Sequence, residues 1–219
     1  MKIGVFDSGI GGKAIANKLE VDYPDAEVLY VDDHLHVPYG SRGNDEIIQL
    51  TNAAIQPLLT AKCDVIVLAC NTATAAAIEH LRDAYPDTPF VGLEPMVGPA
   101  VSLTTSGIIA MCATPFTLGS SRYNTLKDRF ATHVTILEPD CTQWASMIEH
   151  DEVEDQTIAD VVNNLCDRGA DVIVLGCTHY HWIKERIIEL ANNRAIVIDP
   201  SDAVSQRVGS ILHPDDESR

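Results

Sequence analysis

The chain has 219 residues, 46% of them hydrophobic and 21% charged, with 13 Gly and 11 Pro. That composition excludes extended disorder and leaves room for one core or for two domains of about 100 residues each. Its 32 acidic residues against 15 Lys and Arg give a formal net charge of −17, which argues against nucleic acid or an anionic membrane surface as the main partner.

An anionic small molecule would have to be held by backbone N–H groups and hydroxyls rather than by a basic field. No apolar stretch approaches the roughly 18 residues that span a bilayer, and the N-terminus enters a strand without a signal-peptide core. The expected location is the cytoplasm. Six cysteines, at 63, 70, 112, 141, 166 and 177, then read as free thiols rather than a disulfide framework. With no CxxC pair and no His/Cys cluster at zinc spacing, no metal is expected.

In chain order, Lys2 to Phe6 reads as a strand running into the glycine-rich turn Asp7-Ser8-Gly9-Ile10-Gly11-Gly12, with a helix near Lys13 to Leu19. Such a turn offers N–H groups to an anion at a helix start, although a plain tight turn fits equally. Glu27 to Val31 is a second strand, and Asp32 to Gly43 a polar loop holding Pro38, Tyr39, Gly40 and Ser41. Asp32, Asp33, His34 and His36 crowd that loop without the further ligands a metal would need, so it reads as solvated. A helix is predicted from Asn44 to Leu59, a strand from Asp64 to Ala69, a helix from Ala73 to Tyr85 and a strand from Phe90 to Leu93. The first half closes near Met96 to Val101.

The second half predicts strands at Gly107 to Cys112, His133 to Leu137, Asp171 to Gly176 and Ala195 to Ile198. Its helices are predicted at Ser120 to Arg129, Gln156 to Arg168, Trp182 to Asn192 and Ser201 to Leu212. Cys141 to Glu149 is a connection, the acidic run Glu149 to Asp155 a solvated helix start, and His213 to Arg219 a frayed tail.

One stretch is written twice. Asp64-Val-Ile-Val-Leu-Ala-Cys70-Asn71-Thr72 returns as Asp171-Val-Ile-Val-Leu-Gly-Cys177-Thr178-His179, a displacement of 107 residues. Both copies are apolar runs of the kind that form strands buried on two faces, and both stop at a cysteine. The same displacement carries Asp7, at the end of the first strand, to Thr114. A chance match of a common strand sequence is the plainer alternative. The repeat predicts two related, pseudo-symmetric open-sheet α/β domains facing each other across a central cleft, residues 1–97 with about 199–219 and residues 98–198, each offering one thiol.

Four uses compete for two such thiols. A disulfide is disfavoured by compartment, a metal site lacks further ligands, and covalent catalysis needs one nucleophile with one base. The fourth is proton transfer on both sides of one carbon, one thiolate removing a proton and the other thiol returning one to the opposite face, which inverts the centre.

The motifs Lys2-Ile-Gly-Val-Phe-Asp7-Ser8-Gly9-Ile-Gly-Gly12, Val37-Pro38-Tyr39-Gly40-Ser41, Ala69-Cys70-Asn71-Thr72-Ala73, Gly92-Leu-Glu94-Pro95, Ala113-Thr114-Pro-Phe-Thr117 and Gly176-Cys177-Thr178-His179-Tyr180 together resemble, in order, those of the glutamate racemases. These form a branch of the cofactor-independent aspartate/glutamate racemase superfamily. The resemblance implies racemisation of glutamate as the small-molecule substrate, without pyridoxal phosphate or metal, for peptidoglycan synthesis, in a homodimer. It makes Cys70 the base for D-glutamate and Cys177 the base for L-glutamate, with Asp7, His179 and Glu149 assisting. It puts Ser8, Pro38, Tyr39, Gly40, Ser41, Asn71, Thr72, Thr114, Thr117 and Thr178 on substrate contacts. Plainer roles stay open: Asp7 as a turn cap, His179 as a loop orienter, Glu149 as helix-start charge. So do a racemase of another acidic amino acid such as aspartate, and an inactive homologue that binds an acidic ligand or a protein partner. Lys13 and His181 depart from the family pattern, which usually has an aliphatic residue and a proline there. The chain also stops soon after its last helix, where family members generally continue.

Overall fold

The two repeated apolar runs become interior strands of two separate parallel sheets in a computed structural model that describes residues 1–214. Met1–Leu93, joined by the segment that begins at Ser201, forms one compact unit, and Glu94–Pro200 forms the other.

The first unit runs β1 (Lys2–Asp7), α1 (Lys13–Asp22), β2 (Glu27–Asp32), α2 (Asn44–Ala54), α3 (Gln56–Thr60), β3 (Val65–Leu68), α4 (Asn71–Ala84) and β4 (Phe90–Gly92). Its sheet has the order β2-β1-β3-β4. The second unit runs α5 (Val97–Leu103), β5 (Ile108–Cys112), α6 (Pro115–Gly119), α7 (Ser121–Phe130), β6 (Thr135–Leu137), α8 (Trp144–Glu149), α9 (Asp155–Asp167), β7 (Val172–Leu175), α10 (Lys184–Ala191) and β8 (Ile196–Ile198). Its order, β6-β5-β7-β8, repeats the first. The chain then returns to the first unit as α11 (Ser201–Leu212). From residue 215 on, the expected tail lies outside the described residues.

All four residues of β3 and of β7 are buried, which is why both runs are apolar throughout rather than alternating. On one face of the first sheet, Ile3, Val5, Val65 and Val67 pack with Ile15 and Leu19 of α1 and with Val204 and Val208 of α11. In the second, Ile109, Met111, Val172 and Val174 pack with Val97 and Ala100 of α5 and Tyr123 of α7. In connectivity, each sheet is thus covered in part by the helix that follows the other unit's last strand. Each such buried aliphatic side chain contributes roughly 1.5–3 kcal/mol.

The aspartate that opens each repeat has a job of its own. Asp64 accepts the Lys2 backbone N–H at 2.7 Å. Asp171 accepts the Thr104 hydroxyl at 2.5 Å, the Thr105 hydroxyl at 2.8 Å, and the Thr105 and Ser106 N–H groups at 2.7 Å each.

Register corrects one equivalence. Phe6 pairs beside Leu68, and Cys112 beside Leu175, so the first strands are displaced by 106 residues (6 to 112) while β3 and β7 keep 107. The partner of Asp7 in the second unit is therefore Ala113, and Thr114 answers to Ser8.

Other boundaries moved for local reasons. The single helix expected over Asn44 to Leu59 is broken at Ile55, because Pro57 lacks the N–H that would continue it. The segment after Met96 and the segments around Pro115 and Trp144 are helices α5, α6 and α8 rather than connections. Helix α4 starts at Asn71, two residues earlier than the alanine-rich run suggested.

Candidate active site

In the first unit, parallel β1 and β3 bring their C-terminal ends side by side, and with them Asp7, Ser8 and Cys70. Asp7 is fully buried and its Oδ1 accepts the Gly9 N–H at 2.8 Å. This close wrap requires Gly12, where a Cβ would lie 2.4 Å from that of Asp7. The Ser8 hydroxyl lies 3.3 Å from Cys70 Sγ, and both groups are buried. Cys70 is the N-cap of the 14-residue α4, its sulfur accepting the Ala73 N–H at 3.4 Å. A thiolate there faces the positive end of the helix dipole.

Asn71 and Thr72 open α4 and are buried. Neither the oxygen nor the nitrogen of the Asn71 carboxamide has a protein hydrogen-bond partner. Leaving two such atoms dry is costly, and a polar ligand is one thing that would satisfy them.

The loop after β2 differs from the solvated segment expected. Pro38 caps a 3-10 turn over Tyr39–Ser41; Pro38 and Ser41 are exposed and Gly40 half-buried, with the Ser41 hydroxyl donating to the Pro38 carbonyl at 3.4 Å. Tyr39 is buried against the Phe6 ring, and its hydroxyl donates to Asp33 Oδ2 at 2.7 Å. The other oxygen of Asp33 lies 2.7 Å from His36 Nδ1. Burial first, then the Asp33 carboxylate and the nearby Cys70 sulfur, push the Tyr39 phenol far above its ordinary range, so it remains a neutral donor. The sequence offers Asp33 only as a metal ligand without enough companions, and so as a solvated acid. Its signal was its distance of six residues from Tyr39, invisible without the turn between them.

In the second unit, Cys177 follows β7 but leads into a 3-10 turn, Thr178–Ile183, rather than an α-helix, and makes no cap bond. What it has instead is His179, whose Nδ1 lies 3.8 Å from Cys177 Sγ. The other ring nitrogen, Nε2, lies 2.6 Å from Glu149 Oε2. Both side chains of that pair are over nine-tenths buried. Glu149 ends α8, so the reading of it as helix-start charge is corrected. The exposed acids that precede α9 are Asp151, Glu152 and Glu154.

Thr114 caps α6, donating from its hydroxyl to Thr117 Oγ1 at 3.1 Å and accepting the Thr117 N–H at 3.3 Å. It stands two residues beyond Cys112 as Cys177 stands two beyond Leu175, so register puts Thr114 at the strand end neighbouring Cys177. Thr178 is buried at the start of the 3-10 turn. Tyr180, quoted in a motif but given no role, anchors this turn: its hydroxyl donates to the Cys141 carbonyl at 3.0 Å and its ring meets Trp144 edge-on. The His181 side chain is 8% exposed and lies 3.6 Å from Asp199, which Lys184 also holds at 2.6 Å. Burial pushes the His181 imidazole below its ordinary value despite Asp199.

The remaining thiols behave as packing. Cys63 and Cys166 are pushed up by burial, and Cys141 far up by its contact with Cys112 and by burial. Among the described residues, no three His, Cys, Asp or Glu side chains group so as to hold a metal ion, and no helix is long and apolar enough to cross a membrane.

The chain is thus two copies of one α/β unit, each with a cysteine just beyond the second of its two interior strands. A protein-family model described as Asp/Glu/hydantoin racemase matches residues 13–208, and the chain belongs to that family. Within it, the chain is similar to enzymes named glutamate racemase. That of Roseiflexus sp. (strain RS-1) is 38% identical over 214 residues, covering 96% of this chain and 79% of the relative. The solved structure of Escherichia coli glutamate racemase with L-glutamate and the activator UDP-MurNAc-ala matches with a TM-score of 0.83 at 26% identity, over 97% of this chain and 82% of that one. The Francisella tularensis glutamate racemase structure with D-glutamate gives 0.81 at 28% identity, over 98% and 82%.

Proposed function

We propose that this chain interconverts L- and D-glutamate without a cofactor, Cys70 and Cys177 working as a pair of acid/base thiols on one α-carbon. The observation that carries this reading is the equivalence of the two cysteines: each follows the interior strand of the same repeated sheet, β3 or β7. A racemase meets two mirror-image substrates, and a repeated half-site suits both.

In the L-to-D direction, Cys177 thiolate takes the α-proton and becomes a thiol. The electron pair stays on the substrate as an enolate-like carbanion, and the Cys70 thiol protonates the opposite face, becoming a thiolate. One L-to-D turnover leaves Cys177 as thiol and Cys70 as thiolate, the form that serves D-glutamate. Proton exchange of the two thiols with solvent, or a D-to-L turnover with the roles exchanged, restores the starting form, so protons and charge balance over the cycle. For Cys177, His179 with its Nε2–H turned to Glu149 leaves Nδ1 able to take the thiol proton. For Cys70, support comes from the Ser8 hydroxyl and from the N-terminus of α4, with Asp7 at the end of β1 in the assisting role that the resemblance gives it. Asn71, Thr72, Ser8, Tyr39, Thr114, Thr117 and Thr178, with the backbone of Pro38, Gly40 and Ser41, supply donors and acceptors for carboxylates and ammonium, which suits a chain of net charge −17. The named relatives that bind L- and D-glutamate support glutamate over aspartate. The resemblance extends the reading to D-glutamate supply for peptidoglycan by a cytoplasmic homodimer.

The test is α-proton exchange in D2O, followed by NMR with each glutamate enantiomer. The intact protein is expected to invert both with deuterium incorporation. Cys70→Ser should lose inversion and retain exchange of L-glutamate alone, and Cys177→Ser the converse. Unimpaired inversion by either variant would overturn the two-thiol mechanism. Exchange of aspartate but neither glutamate would overturn the substrate.

A further inference from the structure

We propose that Asp33 is a positioning residue of the Cys70 half-site, its carboxylate holding Tyr39 and His36 and thereby setting the Tyr39–Ser41 turn in its ligand-binding form. The proposal rests on the reading of Pro38–Ser41 as substrate contacts.

Asp33 follows β2 directly, and its backbone N–H donates to the Asp7 carbonyl at 3.2 Å. It is therefore fixed to the strand end that carries Asp7 and Ser8. From there its two carboxylate oxygens reach forward along the loop, one to the Tyr39 hydroxyl and one to His36 Nδ1, each at 2.7 Å. The side chain is 13% exposed, so these contacts are made in a medium that strengthens them. Further bonds close the loop on the same frame. The His36 N–H donates to the Asp33 carbonyl at 3.0 Å, Arg42 Nε to the His36 carbonyl at 2.8 Å, and the Arg42 N–H to the Tyr39 carbonyl at 3.0 Å.

Between β2 and α2 this connection has no regular structure beyond short 3-10 turns. A loop of that kind would lose entropy each time it ordered around a ligand. A carboxylate that ties the middle of it, at His36 and Tyr39, to a residue whose backbone is bonded to the end of β1 lowers that cost before binding. Asp33 lies one residue beyond the last β1–β2 register pair, Asp7 with Asp32, so the tie is as rigid as the sheet.

The experiment compares the intact protein with Asp33→Ala, Asp33→Asn, Tyr39→Phe, His36→Ala and the double variant Asp33→Ala/Tyr39→Phe. It reads kcat and KM for both enantiomers, Kd for D-glutamate by calorimetry, and Tm. Asp33→Ala is expected to raise KM and Kd roughly tenfold or more with kcat changed less than about threefold. Asp33→Asn, which keeps an oxygen for Tyr39 and an N–H for an imidazole nitrogen, should recover most of that loss. Tyr39→Phe and His36→Ala should each raise KM several-fold, and Tyr39→Phe should add little on top of Asp33→Ala, since the two side chains act as one unit.

KM and Kd of Asp33→Ala within about twofold of the intact protein, or independent effects in the double variant, would overturn the proposal. Should Asp33→Ala not fold, unchanged KM in both Tyr39→Phe and His36→Ala overturns it equally. If the intact protein racemises neither enantiomer, the functional reading fails by itself, and the calorimetric series still decides Asp33.

Discussion

Glu149 Oε2 lies 2.6 Å from His179 Nε2, and the other nitrogen of that ring, Nδ1, lies 3.8 Å from Cys177 Sγ. The carboxylate fixes which nitrogen carries the proton, and so which one can act on the thiol. A glutamine at 149 can donate to Nε2 and reverse that tautomer. Glu149→Gln is expected to slow racemisation by roughly 10²-fold. Because the equilibrium constant of a racemisation is one, kcat/KM must fall alike in both directions. The asymmetric signature is exchange in D2O: deuterium entry into L-glutamate should be lost while entry into D-glutamate persists. Equal loss for both enantiomers would count against the pairing of Glu149 with Cys177.

Cys70 has a structural and a chemical role that substitution separates. As N-cap of α4 it accepts the Ala73 N–H. A serine hydroxyl caps at least as well, whereas alanine cannot. Cys70→Ser is expected to keep its unfolding free energy and Cys70→Ala to lose about 1 kcal/mol, both without inversion. Urea unfolding of the two variants measures the difference.

The buried, unpartnered carboxamide of Asn71 should cost stability in the free protein and contribute on binding. Asn71→Ala is expected to unfold at equal or higher denaturant, with a gain of up to about 1 kcal/mol, while KM for glutamate rises at least roughly tenfold. A fall in stability would mean that the carboxamide is satisfied within the folded chain.

Asp171 makes part of the stability of the second unit depend on pH. Burial alone would raise its carboxyl, but the Thr104 hydroxyl and the Ser106 and Thr105 donors outweigh that and hold it well below the carboxylate range. A folded value below the unfolded one means the stabilisation is fully present above the unfolded value, near 4, and fades as pH falls through the folded one. Asp171→Asn is expected to cost about 1–2 kcal/mol at pH 7. The gap to the unaltered protein should narrow progressively below pH 4 in denaturant titrations.

The duplicated strand was legible because β3 and β7 are covered on both faces, which demands an unbroken apolar run whatever surrounds it. Its terminal cysteines were legible for the same reason, since a polar ending marks where the sheet stops. Helix α11 matched residue for residue, and the sheet order followed the repeat. Helix α4 was placed late because Asn71 and Thr72 have low helix propensity, a local preference overridden by the cap at Cys70. The break at Ile55 is written in Pro57, whose missing N–H interrupts a hydrophobic pattern that by itself continues through it.

What the residues by themselves determined, then, is which segments are buried and which side chains can carry protons: periodicity and chemistry are local properties. Tertiary structure alone decided the environment of each charge. Asp33 and Glu149 each stand in an acidic stretch that reads as solvated, yet their side chains are only 13% and 3% exposed, one against Tyr39 and the other against the His179 ring. Burial of a carboxylate depends on what folds over it from elsewhere in the chain, 30 residues away for Glu149. The same holds for the two thiols, alike in sequence: one caps a long α-helix and the other stands beside an imidazole.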